Sequence, residues 1–439
     1  MLNQQVGMVF TFDFLDFAEN VAKNYIVTDA WGNEVDIRNV ELILTASMLK
    51  LWDSYKSCDD YVQNCLANGY TFGIAKTCPK ELESERTLNY QFIQSYDLSD
   101  TDIEQIIQPT MDEIRDVLYA DWVKTTLFLK GVGLNDENID RVDNDYAKAI
   151  MIEPELLNDP YVQSSIYQMI RNRINEAKVG VLKVHGNYSI VSGDPYSLCQ
   201  HIFGLEVTGL LRSGEIYNKY WSGQGCERLA CYRAPMTCHN NIRLVFPHRS
   251  EEASHWYQYM TTCTIFNSWD TAAHALNGMD KDGDLVMLTD NKVLVDNLKV
   301  LPALMCVQRK AKKIIVTEAD AVQANIDSFG DDIGKTTNGF ALIDAVNSTG
   351  KRSITLRCAG FSVALGNGHG KLLQNIEEAT VRDLVPVDRR RLRFGNNIAN
   401  GSVHFLNGIR CGTGNEDIFK GRHAVCIGYG ILVHGNAGE

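Results

Sequence analysis

Apolar positions along the chain follow two periods that alternate by region. From Val40 to Trp52 the run Val-Glu-Leu-Ile-Leu-Thr-Ala-Ser-Met-Leu-Lys-Leu-Trp is short and rich in apolar residues, which predicts a buried strand leading into a turn. Tyr70 to Ala75 gives a second strand-like piece. Leu98-Ser99-Asp100 then offers a helix cap ahead of Ile103, Ile106 and Ile107, with Pro109 starting a new turn that feeds Ile114, Val117 and Leu118. The stretch from about 85 to 177 therefore reads as mainly helical.

Strand character returns with Val179-Gly-Val-Leu-Lys-Val, closed by the turn-rich His185-Gly-Asn and Ser192-Gly-Asp-Pro, and resumes from Leu205 to Leu211. A second β-rich region spans about 226 to 300, where Ile242 to Phe246 and Leu285-Val-Met-Leu-Thr are apolar. Between them, Glu251 to Leu276 has helical length and content. Residues 301 to about 347 read as helical again, and the glycine-dotted remainder as a loop-rich tail.

Composition narrows the class. The 439 residues are 45% hydrophobic and 22% charged, with nine prolines and no low-complexity stretch, as in a chain folded nearly throughout. The amino terminus has no basic start with an apolar run, and no window approaches the roughly 18 apolar residues of a membrane span. Twelve cysteines at irregular spacing read as reduced thiols. Together these features predict a cytoplasmic protein with no membrane contact.

The net charge of −13 argues against nucleic-acid binding, which draws most of its affinity from lysine and arginine. Two local patches argue the other way: Arg309, Lys310, Lys312 and Lys313, and Arg389, Arg390, Arg391 and Arg393. Either could track phosphates, or form a solvated helix face.

The densest chemistry is Asn277-Gly-Met-Asp280-Lys-Asp282-Gly-Asp284, followed directly by the apolar run Leu285 to Leu288. Carboxylates this close repel one another unless a cation neutralises them. Magnesium favours hard oxygen ligands and suits three aspartates on a tight loop. A calcium loop of the EF-hand kind would need glycine and glutamate where this chain has Leu285 and Asn291. An acidic turn that binds nothing stays open.

Asp-x-Asp-Gly-Asp at the lip of a strand resembles the catalytic loop of the two-barrel RNA polymerases, a superfamily that includes the multisubunit transcriptases, the silencing RNA-dependent RNA polymerases and single-chain phage polymerases. Upstream, Tyr232-Arg233-Ala-Pro-Met-Thr-Cys-His239 is similar to the segment that precedes that loop. Ala46-Ser-Met-Leu-Lys50-Leu-Trp, Leu88-Asn-Tyr-Gln-Phe-Ile and Gly180-Val-Leu-Lys183-Val-His-Gly-Asn with Ser192-Gly-Asp-Pro resemble segments of the silencing enzymes. The likeness covers about residues 40 to 345. It departs at His185-Gly186-Asn187, where the family commonly has Arg-Asn-Pro, and at Tyr90, where it has arginine.

The resemblance implies an α+β fold of two double-psi β-barrels with helical insertions. Residues 1–36 would be a lead segment, 37–215 the first barrel with its insertion at about 85–177, and 216–300 the second, catalytic barrel. Residues 301–365 would be helical beside the cleft, and 366–439 a tail of unknown role. It further implies a nucleotidyltransferase adding ribonucleoside triphosphates to an RNA 3′ end on a DNA or RNA template. Asp280, Asp282 and Asp284 would hold Mg2+, and Arg233 would contact the incoming sugar. Lys183 and Lys50, with Lys76 in reserve, would hold phosphates, and Arg309 to Lys313 with the segment from Phe329 to Asn338 would grip template or hybrid.

The residues also admit competing readings. One is an inactive or incomplete polymerase-like nucleic-acid-binding chain. Another makes zinc ligands of Cys226, Cys231, Cys238 and His239, although their intervals exceed the usual two to four residues and suit buried thiols better. Trp269 and His274 read as packing residues on a helix.

Overall fold

A computed structural model of the chain describes residues 7–46, 48–49, 52–70, 73–74, 76–93, 96–119, 121–131, 144–236, 239–302 and 317–328, together with strand backbone between 355 and 433. The chain opens with β1 (Val9–Thr11), α1 (Phe14–Phe17), the hairpin of β2 (Ile26–Thr28) and β3 (Glu34–Asp36), then β4 (Leu42–Thr45) and α2 (Cys58–Ala67). β5 (Glu85–Thr87) leads into α3 (Tyr90–Ile93), α4 (Asp100–Leu118), α5 (Trp122–Lys130), α6 (Asp145–Ile152) and α7 (Pro160–Lys178). After β6 (Lys183–Ser192), strands alternate with short helices: α8 (Pro195–Ile202), β7 (Glu215–Tyr217), α9 (Lys219–Gly223), β8 (Leu229–Tyr232), β9 (Arg243–Pro247), α10 (Glu251–Trp256), β10 (Cys263–Phe266), α11 (Ala272–Ala275), β11 (Leu285–Thr289) and α12 (Lys292–Asp296). Last come α13 (Glu318–Ser328) and the strands β12 (Thr355–Cys358), β13 (Phe361–Gly366), β14 (His369–Leu372), β15 (Ala424–Cys426) and β16 (Gly430–Val433).

Strands β6 to β11 close into a six-stranded barrel in the order β10-β7-β9-β8-β11-β6, with β6 returning to β10. β6 makes the closure possible because its ten residues serve three neighbours in turn. Lys183 to His185 pair with β5, Gly186 to Ile190 with β11, and Ile190 to Ser192 run parallel to β10. Side chains alternate along each strand. Val191, Ile216, Leu229, Cys231, Val245, Phe266, Val286 and Leu288, contributed by every barrel strand, form one buried cluster that fills the interior. The intervening positions Val184, Ala230, Tyr232 and Met287 pack outward against α3, α4 and α12. Cys263, Ile265 and Tyr217 pack outward on another side, against Trp256, Tyr257 and the amino-terminal Phe12, Phe14 and Phe17.

One closed barrel is thus present, and no second closed barrel forms among the described residues. β4, expected to open a first barrel, lies in a four-stranded sheet ordered β1-β15-β4-β16. Two of those strands come from the region expected to be a loop-rich tail. β6, assigned to the first barrel from sequence, is part of the barrel that carries the aspartate loop.

Other local expectations differ for physical reasons. α4 begins at the predicted Ser99 cap, with Ser99 and Asp102 forming a reciprocal capping box. Pro109 starts no new turn, because the helix continues through it while Ile106, Thr110, Ile114 and Val117 bury one face. His185-Gly186-Asn187 is no turn either but mid-strand. A Cβ at Gly186 would meet the Leu288 carbonyl oxygen at 2.6 Å, so glycine is what lets β11 approach.

Leu205 to Leu211 form no strand, since the Gln200 side-chain carbonyl accepts from the Thr208 and Gly209 amides in place of a ladder. The single helix expected over Glu251 to Leu276 is α10, β10 and α11. The β-branched-rich Thr261 to Phe266, with three threonines and Ile265, suits a pleated strand better than a helix. Of the strand expected at 70–75 and the helix at 301–347, the described residues are 70, 73 and 74, which are not in a strand, and 301, 302 and 317–328, of which Glu318–Ser328 is helical. No helix among the described residues is long and apolar enough to cross a membrane.

Candidate active site

The barrel register decides which loops meet. Ile190 pairs with Leu285 of β11 and with Cys263 of β10, and Met287 pairs with Tyr232 of β8. The carboxyl ends of β6, β8 and β10 and the amino end of β11 therefore share one rim. The Val191 amide extends the ladder by donating to the Asp284 carbonyl at 2.9 Å. Asp280 to Asp284 sit on this rim, and Arg233 stands beside them as the first residue beyond β8.

Apolar anchors hold the loop there. Leu276 and Met279 are buried in the barrel interior, flanking Asn277 and Gly278 at φ of 60° and 63°. That left-handed pair reverses the chain between the anchors, and asparagine and glycine are the residues that tolerate it. Gly283, at φ 126°, turns the loop again just before Asp284. Asp280 and Asp282 are exposed, while the Asp284 side chain is 22% exposed.

Arg233 clasps the loop. Its Nη2 lies 2.8 Å from Asp284 Oδ2, and its Nη1 donates to the carbonyls of Leu276 (3.3 Å) and Asn277 (3.1 Å). Asn277 Nδ2 returns a bond to the Pro235 carbonyl at 3.0 Å, and the Asp280 amide donates to Asp284 Oδ2 at 2.6 Å. The Met236 amide is held by Gln91 Oε1, so α3 also positions this segment.

Among the described residues, no group of three or more His, Cys, Asp or Glu side chains is gathered closely enough to hold a metal ion. Asp284 turns to Arg233, while Asp280 acts electrostatically on the neighbouring Lys281. As donors the three carboxylates fit a hard divalent cation, being oxygen only and within five residues of one another.

The structure does not bring Lys183 to this rim. It lies seven residues before Ile190 in β6, roughly 23 Å away along an extended strand. There its Nζ meets Glu85 Oε2 at 2.9 Å and Glu113 Oε1 at 3.6 Å, and Glu113 also pairs with Arg173. Lys183 thus ties β6 to the helical insertion. Lys76 is exposed in a coil segment. Lys50, Arg309, Lys310, Lys312 and Lys313 lie outside the described residues, as do Arg389 to Arg393, Cys238 and the Phe329 to Asn338 segment.

Cys231 points into the barrel, where burial pushes its thiol well up, so it behaves as a core residue. The Asp of Ser192-Gly-Asp194-Pro is structural. Buried at the start of α8, Asp194 accepts from the Tyr196 amide, from Ser197 Oγ at 2.5 Å and from the Tyr257 hydroxyl at 2.7 Å, and burial pushes its carboxyl up.

Sequence reasoning missed Asn277 and Gln91 as positioning residues, although the Asn-Gly pair before Met279 was a visible signal for a left-handed turn. It also misplaced Trp269 and His274. Both are exposed, and Trp269 precedes α11 rather than packing on it.

A comparison with curated proteins agrees with the polymerase resemblance. Over 348 residues, 77% of this chain, it is 28% identical to the DNA-directed RNA polymerase YonO of Bacillus phage SPbeta, and it spans 40% of that protein's length. Among solved structures, the RNA-dependent RNA polymerase QDE-1 from Thielavia terrestris superposes at a TM-score of 0.37 with 13% identity, over 61% of this chain and 32% of that one. No family model matches the chain.

Proposed function

We propose, from its resemblance to the two-barrel RNA polymerases, that the chain carries the catalytic barrel of a template-directed RNA polymerase. The observation that carries this reading is the loop Asp280 to Asp284 on the barrel rim, clasped by Arg233. Carboxylate oxygens can hold a divalent cation, and a planar guanidinium beside them can donate to phosphate or sugar oxygens. Asp280, Asp282 and Asp284 would hold Mg2+, which when bound supplies charge compensation for a transferring phosphate and an attacking 3′-hydroxyl.

The protein's own residues do the positioning. Leu276 and Met279 fix the loop, and Arg233 keeps Asp284 oriented. A remaining in-plane N–H of that guanidinium can meet the hydroxyls of an incoming ribonucleoside triphosphate. DNA is placed first as template because the phage relative is named a DNA-directed enzyme, with RNA second. RNA is the product and a cytoplasm the setting, that of the host cell if the chain is phage-encoded.

The test is incorporation of labelled ribonucleoside triphosphates on single-stranded DNA and RNA templates with Mg2+, comparing the parent chain with Asp282→Ala. Loss of synthesis in the variant is expected. Absence of synthesis by the folded parent on either template would overturn the reading of an active polymerase and favour an incomplete or inactive core.

A further inference from the structure

An exposed tryptophan is costly in water, and Trp269 is 72% exposed. It stands in the connection from β10 to β11, three residues beyond Phe266, so it rises from the same rim as the aspartate loop. Its ring is not loose. Nε1 donates to the Val207 carbonyl at 2.8 Å, and its amide is held by Asn267 Oδ1 at 2.7 Å.

The backbone beneath is fixed as well. Asp270 Oδ2 accepts from the Gly214 amide at 2.6 Å, Asp270 Oδ1 caps the Ala272 amide at 2.9 Å, and Asn267 Nδ2 donates to the Leu211 carbonyl. Two loops are thereby stitched into one platform. Arg212 lies between the two stitched positions Leu211 and Gly214, is exposed, and has a guanidinium engaged by no described residue.

A held aromatic face and an unengaged cation carried on the same pair of stitched loops suit an unpaired nucleobase and its phosphate, since base stacking tolerates any sequence and the charge tracks the backbone. We propose that Trp269 stacks a base of single-stranded nucleic acid at the barrel rim, with Arg212 meeting the adjoining phosphate. Trp269 is a positioning residue for the strand, and the inference rests on the polymerase reading above.

The measurement is binding of fluorescent oligo-dT and oligo-U to the full chain by anisotropy at fixed salt, together with quenching of intrinsic tryptophan emission. Trp269→Ala is expected to weaken binding roughly ten- to a hundredfold. Trp269→Phe should stay within a few-fold of the parent yet lose most of the quench. Trp122→Phe, at an exposed position on the helical insertion, should behave as the parent in both. Should Trp269→Ala fail to fold, the quench in Trp269→Phe and a severalfold weakening in Arg212→Ala decide the matter. Preference between the two oligonucleotides tells a DNA strand from an RNA strand. Parent-like binding by Trp269→Ala, or a parent-like quench in Trp269→Phe, overturns the stacking role and leaves the polymerase reading standing if incorporation persists. A parent chain that binds neither oligonucleotide overturns both.

Discussion

A guanidinium that grips one carboxylate and two backbone carbonyls cannot be exchanged for an ammonium without loss, because three donors must leave a single plane in fixed directions. Arg233→Lys is therefore expected to keep the charge beside Asp284 but release Leu276 and Asn277. Stability should fall by about 1 to 3 kcal/mol in urea unfolding, and nucleotide incorporation by at least tenfold. Full retention of incorporation would remove Arg233 from the site. Asp194 makes a different prediction. Burial raises its pKa in the folded state above the ordinary carboxyl value of 3.8, so folding favours the protonated form. Its contribution is fully present below 3.8 and is lost as pH rises through the raised folded value. Asp194→Asn keeps a competent helix cap and should flatten that part of the profile, which thermal unfolding between pH 4 and 7 would report.

At the scale of elements, the loop is only as rigid as its anchors. Met279→Ala leaves a void in the barrel interior and should cost about 2 to 5 kcal/mol, with urea midpoints as the check. Gly186→Ala drives a Cβ against the Leu288 carbonyl and should cost about 1 to 3 kcal/mol or more, because backbone on a closed barrel has little room to yield. These elements also show what could be read beforehand. The Ser99 cap, β11 and the aspartate loop were legible because each is written in local chemistry: a capping pair, a continuous apolar run, a dense set of carboxylates. β6 was misread as ending at His185 because the reason for Gly186 is a neighbour about a hundred residues away in sequence. Lys183 looked like a phosphate ligand until the register set it opposite Thr87, beside Glu85 and Glu113. Trp269 looked like core because exposure of an aromatic is decided by tertiary placement, not by its neighbours in sequence.

Over the whole molecule, a net charge of −13 means that any nucleic acid must be held by local cations against a repulsive background. Affinity for single strands should accordingly fall steeply with salt, and the slope of log K against log salt should flatten by about one when a phosphate-contacting cation such as Arg212 is removed. An unchanged slope in Arg212→Ala would place the contacts elsewhere. The general architecture was legible as strands split by a helical stretch, whereas the barrel closure was not, since it depends on one strand serving three partners.

That same strand has a consequence for how the helices are attached. Thr87, where the chain leaves β5 for the helical stretch, and Lys183, where it returns, are cross-strand partners. The intervening helices bury their own cluster around Ile114, Leu129, Ile150 and Ile166. Entry and exit of this segment are thus already as close as the two arms of a hairpin. Lengthening or shortening it changes the entropy of closing that gap only logarithmically, by about 0.6 kcal/mol per doubling. The helices around that distal cluster can diverge, whereas α3 and α4, which pack on the barrel and through Gln91 hold the Met236 amide, stay tied to the geometry of the rim.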